Sequence, residues 1–67
     1  MFEYIVITYN KDEIIQDDCF RFKSNYDDCD IDPYGDNVPF AIGSNQSVVK
    51  LEDCPLSIHI DELEYLY

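Results

Sequence analysis

Basic residues are scarce in this chain: four Lys and Arg together and one His stand against fifteen Asp and Glu, giving a formal net charge of -11 at pH 7. Direct binding to DNA, RNA or an anionic membrane is thereby excluded, since each of these needs a basic face. Long apolar runs are missing as well. The longest, Ile5 to Ile7, is far too short to span a bilayer, and Met1-Phe2-Glu3-Tyr4 has neither the positive flank nor the apolar stretch of a signal peptide. A soluble protein that stays in the cytoplasm is expected. Glycine and proline are few, two and three residues in 67, and no Gly-rich phosphate loop or internal repeat is present.

Length adds its own exclusion. A 67-residue, 7.9 kDa chain has room for one core, so residues 1–67 are read as a single small acidic domain. Compact-domain scaling predicts a radius of gyration of roughly 11 Å and an accessible surface of roughly 4,400 Å², with about one uncompensated negative charge per 400 Å². High net charge is half of the signature of disorder, but the other half is absent. Hydrophobic residues make up 46% of the chain, with ten aromatics and eight Ile, enough for a core. Self-repulsion weakens a small compact state, so a folded chain with this imbalance is expected to use it.

The three cysteines, Cys19, Cys29 and Cys54, cannot pair completely and form no Cys-x-x-Cys. An odd count without a secretory signal points to a reducing compartment, with the thiols serving as small apolar groups. Zinc ligation by these cysteines and His59 is disfavoured. Closed sites draw ligands in near pairs, and only Cys54-x4-His59 has such a spacing.

Residues 2–9, β-branched and aromatic on both alternating faces, predict a central strand. Asn10 to Glu13 reads as a hairpin turn, the alternative being an Asn10 helix cap. Ile14 to Lys23 predicts a second strand, best defined from Cys19, with Ile14, Gln16, Asp18, Phe20 and Phe22 on one face and Cys19, Arg21 and Lys23 on the other. Ser24 to Gly35 has the composition of a long acidic connection. Val38 to Ile42 is a candidate edge strand limited by Pro39, Gly43 to Gln46 a turn, and Ser47 to Leu51 a strand. After a turn at Pro55, Leu56 to Ile60 alternates as a last strand. Asp61 with Glu64 then forms a capping box for one terminal helical turn. The expected fold is β-rich, small α+β: a single antiparallel sheet of four or five short, meander-like strands with at most one short C-terminal helix.

Charge is distributed unevenly along the chain. Asp27, Asp28, Asp30, Asp32 and Asp36 occur between Ser24 and Val49 with no Lys or Arg among them. Glu52, Asp53, Asp61, Glu62 and Glu64 follow Leu51, again with none. On extended backbone, Asp28, Asp30 and Asp32 would project to one side at intervals of roughly 6.5 to 7 Å. That is close to the step of about 6 to 7 Å between phosphates along a nucleic-acid strand, so the row could serve as a false ligand for a basic groove. Tyr34 and Tyr65 lie beside these acids and, with Tyr26 and Tyr67, are candidates for interface anchors. The bland reading is a solvated acidic loop that aids solubility.

Other chemistry fits poorly. An EF-hand loop begun at Asp28 places Pro33 where Gly is required and Pro39 where the bidentate Glu belongs, so no metal is assigned. A Cys-His nucleophile would need His59, and acidic surroundings raise a thiol's pKa. No catalytic residue, enzyme activity or cofactor is expected. The expected partner is a basic nucleic-acid-binding protein, such as a nuclease or CRISPR effector. Its contact residues would be Asp27, Asp28, Asp30, Asp32, Tyr34, Asp36, Glu52, Asp53, Asp61, Glu62, Glu64 and Tyr65. In size and charge alone the chain resembles the small acidic proteins that phages direct against restriction enzymes, CRISPR effectors or uracil-DNA glycosylase. That resemblance implies an anti-restriction or anti-CRISPR DNA mimic working in the host-cell cytoplasm. The alternatives are an immunity protein or antitoxin covering a basic toxin, and a structural or assembly module whose charge serves only solubility.

Overall fold

The computed structural model describes residues 1–55 and 59–66. Four strands form one antiparallel sheet: β1 (Phe2–Asn10), β2 (Glu13–Ile14), β3 (Phe20–Ser24) and β4 (Gln46–Lys50). β1 is central. β3 pairs with it from Phe2↔Ser24 to Val6↔Phe20, and β4 pairs on the other side from Tyr4↔Lys50 to Thr8↔Gln46. The described helical residues are single 3-10 turns, Gln16–Asp18, Leu51–Asp53 and Ile60–Glu62. The radius of gyration is 10.9 Å and the accessible surface 4619 Å².

β1 is apolar on both faces because both are covered. Tyr4 and Val6 point into one cluster with Phe22, Val48 and Ile31, closed over by Val38, Phe40 and Ile42 of the connection between β3 and β4. Phe40 meets Phe20 and Phe22 edge-on at 5.1 and 5.2 Å. Ile5 and Ile7 point the other way, toward Cys19 and Leu63, with Ile14, Leu51, Cys54 and Ile60 packed around them. A three-layer arrangement results, with the sheet between two coverings of irregular chain. Each fully buried aliphatic or aromatic side chain contributes about 1.5 to 3 kcal/mol of apolar transfer, and β1 supplies four of them from Tyr4 to Ile7.

The predicted second strand is divided. Lys11 and Asp12 make a two-residue hairpin turn, with Lys11 at φ 58°, and Ile14 opposes Tyr9. The chain then leaves the ladder at Gln16–Asp18 and returns at Phe20. Thr8 holds this excursion: its hydroxyl donates to the Asp18 carbonyl at 2.8 Å and its N–H donates to Cys19 Sγ at 3.5 Å. The excursion changes the parity of the return strand. Ile14 therefore packs with Ile5 and Ile7 while Phe20 and Phe22 lie on the opposite face, so the expected common face is corrected.

Val38 to Ile42 forms no strand, although its apolar residues still cover the sheet. Pro39 lacks a ladder donor, and the outward Val48 N–H of β4 is taken by the Pro33 carbonyl at 3.0 Å. Of the expected last strand, Leu56, Ser57 and Ile58 lie outside the described residues, as does Tyr67, and Ile60 belongs to a 3-10 turn. The expected Asp61 cap is also corrected. His59 occupies the cap position without a side-chain bond, and Leu63 returns to extended backbone. The chain then runs parallel to β3 through an Arg21↔Tyr65 bridge.

Candidate anionic interface

The acidic connection is folded by some of its own carboxylates. Asp27 Oδ1 accepts the Cys29 N–H at 2.9 Å, and the Asp27 carbonyl accepts the N–H groups of Asp30 and Ile31 at 3.0 and 3.2 Å. Residues 27–31 therefore turn, which sends Ile31 into the core. The evenly stepped row expected for Asp28, Asp30 and Asp32 on extended backbone does not form, because a buried Ile31 requires the chain to bend toward the sheet. Asp32 Oδ1 accepts two further N–H groups, from Tyr34 at 2.9 Å and Asp36 at 3.0 Å. The Asp36 N–H is the main reason the Asp32 carboxyl lies below its ordinary pKa, and contact with Asp32 raises that of Asp36.

Glu52, on the turn after β4, joins this region through Lys50. The Lys50 ammonium is 3.2 Å from Asp28 and 3.4 Å from Glu52, and the Asp28 bond is the chief cause of its raised pKa. Asp28 and Asp53 also line a cleft of about 240 Å³ with Tyr4 and Val48. Two acidic segments that are separate in sequence thus share one neighbourhood.

Glu62 and Glu64 stand elsewhere. They line a groove of about 540 Å³ with Asp17 and Asp18, over a floor of Cys19, Phe20 and Leu63. The Gln16 amide donates to Glu62 across it at 3.3 Å. Asp61 is exposed on the same 3-10 turn as Glu62 and does not line the groove. Asp17 and Asp18 were missed by the sequence reading; tandem acids in the middle of a supposed strand were the available signal.

The two site tyrosines differ. Tyr65 is occupied within the molecule: its ring lies 4.1 Å from the Arg21 guanidinium carbon and its hydroxyl donates to Glu3 at 2.9 Å, a bond that leads the causes raising its pKa. Tyr34 is 83% exposed.

The cations are largely committed. Arg21 donates from Nε and Nη2 to the Leu63 carbonyl at 3.0 and 2.7 Å, Lys23 is 4.0 Å from Glu3, and Lys50 is bracketed as described. Among the described residues, Glu3, Asp28 and Glu52 are the carboxylates within ion-pair distance of a cation; every other Asp and Glu has none. All fifteen lie among the described residues, and all but Glu3 and Asp32 are exposed.

Among the described residues, no group of three or more His, Cys, Asp and Glu is placed to hold a metal ion, and no helix is long and apolar enough to cross a membrane. The three thiols are free, Cys19 buried and Cys29 exposed. No protein-family model matches the chain, and neither a curated protein nor a solved structure matches it.

Proposed function

We propose that this protein is a small acidic inhibitor that occupies the nucleic-acid-binding surface of a basic protein, acting as a DNA mimic in the anti-restriction or anti-CRISPR manner. One observation carries the reading: the carboxylates are at the surface and twelve of the fifteen have no cation within ion-pair distance, while three of the four Lys and Arg are already engaged within the molecule. A surface in that state has a strong negative field with little in the molecule to discharge it. A groove built for phosphates has the complementary field, which raises encounter rates and favours this partner over neutral ones. At contact, Lys and Arg of the partner would form charge-assisted bonds with the outward acids, Asp30, Asp36 and Asp53 on one region and Asp17, Asp18, Glu62 and Glu64 on the other. Imitation on this scaffold is by density of charge in patches, since the acids of the connection are not evenly stepped.

The test is capture of partners from a bacterial lysate on the immobilised chain at low salt, followed by elution with competing duplex DNA. A nucleic-acid-binding protein released by DNA is expected, with affinity falling at least about tenfold between ~0.05 and ~0.3 M salt. Retention through that range, or a partner contact area without Lys or Arg, would overturn the proposal in favour of an apolar assembly interface.

A further inference from the structure

We infer that Tyr34 is the anchor of the partner contact, a ring held out for stacking against an arginine guanidinium. This rests on the reading of the protein as an anionic mimic and adds which cation is recognised and where. Tyr34 is the most exposed of the large apolar side chains among the described residues, at 83%; Tyr26 follows well behind among the tyrosines, at 49%. Such exposure on a loose loop would mean little.

Here the backbone beneath the ring is tied down. The residue before it, Pro33, has its φ fixed by its own ring and accepts the Val48 N–H from β4 at 3.0 Å. Tyr34 itself donates to Asp32 Oδ1 at 2.9 Å, Gly35 donates to the Asp32 carbonyl at 3.2 Å, and Asp36 donates to Asp32 Oδ1 at 3.0 Å. Ile42 packs where a Gly35 side chain would lie. Ordering this segment has been accomplished in folding, so a partner would immobilise little more than two torsions of one ring.

The occupant follows from charge. Asp32 and Asp36 stand within two residues of the ring, and the whole surface is negative, so an aromatic or aliphatic partner group would bring no compensation. A guanidinium does so twice: it stacks flat on the ring and its fork reaches a carboxylate, whereas an ammonium on a flexible stem is a strongly hydrated point charge. The stacking half of this contact already exists inside this molecule, where Arg21 lies over the Tyr65 ring at 4.1 Å while its fork is given to the Leu63 carbonyl.

The experiment titrates the full chain with peptides of ten arginines and of ten lysines, followed by assigned tyrosine ring resonances. The arginine peptide is expected to bind more tightly and to shift the Tyr34 ring upfield. Tyr34→Ala should weaken arginine binding by about three- to tenfold and erase the preference over lysine, while Tyr34→Phe and Tyr26→Ala keep both. An unchanged affinity and preference in Tyr34→Ala, with both peptides still binding in a salt-sensitive way, would overturn the anchor and leave the anionic mimic standing. Failure of both peptides to bind the native chain would instead overturn the mimic, and the anchor with it.

Discussion

Gly35 has φ 98°, and a β-carbon built there would overlap Ile42 Cγ1 and lie 2.8 Å from Ile42 Cβ. The left-handed backbone and the overlap with a branched core side chain act together, so Gly35→Ala should cost about 3 kcal/mol, read from the urea midpoint. For a chain of this length, whose single core rarely supplies more than about 3 to 5 kcal/mol, that is a large share. Gly43→Ala is the contrast. Its β-carbon would meet the ends of the Asn45 and Gln46 side chains at 3.1 and 3.2 Å, each hydrogen-bonded to β1, so a shift of a few tenths of an ångström weakens those bonds and the loss should be about 1 kcal/mol. Tyr4 provides a pH test. Its hydroxyl donates to the Tyr26 carbonyl at 2.6 Å, and its pKa is raised above 10.0, first by burial and then by the nearby Asp28 carboxylate. A group raised in the folded state favours the native form while protonated; that contribution is complete below the unfolded value and disappears as pH rises through the folded one. Tyr4→Phe should therefore cost about 1 kcal/mol at pH 7, with the difference from wild type shrinking in urea titrations taken past pH 10. None of this was legible from residue type, because Gly35 and Tyr4 take their roles from Ile42 and Tyr26, which meet them only in the fold.

The segment after Leu63 is held to the sheet by a few bonds that converge on one residue. The Arg21 N–H donates to the Glu64 carbonyl at 2.8 Å, the Leu66 N–H donates to the Arg21 carbonyl at 2.8 Å, and the guanidinium grips Leu63. Leu63 is the buried end of this strap and covers Ile5 and Ile7. Arg21→Ala should cost about 2 to 3 kcal/mol and make the Leu66 amide exchange rapidly with solvent. Arg21→Lys should recover only part, since an ammonium cannot supply the two-pronged bond. Legibility varied by element for physical reasons. β1 was readable because a strand buried on both faces is apolar at every position, and the Gly43 to Gln46 turn because its residues suit a turn. The break at Gln16–Asp18 was not, since the apolar spacing of Ile14, Phe20 and Phe22 continues across it in even steps. The parallel strap was not either, because pairing between Arg21 and Tyr65 leaves no local pattern.

With a net charge of -11 and three ion pairs among the described residues, like-charge repulsion is the larger electrostatic term in the whole molecule. Raising sodium chloride from ~0.05 to ~0.5 M should therefore stabilise the isolated chain, by about 1 kcal/mol or 4 to 8 °C in Tm. A fall in Tm would mean that the pairs of Lys50 and Lys23 outweigh the repulsion. The sequence alone dictated the sign and size of that field and a β-rich core built on one strand. These depend on sums and on side-chain alternation, both of which are written in the order of residues. The choice of which acids face outward belonged to the folded chain. Asp27 and Asp32 turn their oxygens to backbone N–H groups, Asp28 is drawn to Lys50, and Asp17 and Asp18 meet Glu62 and Glu64 across a groove. A carboxylate's partner is decided by distance in space, and distance is set only when the two coverings close over the sheet.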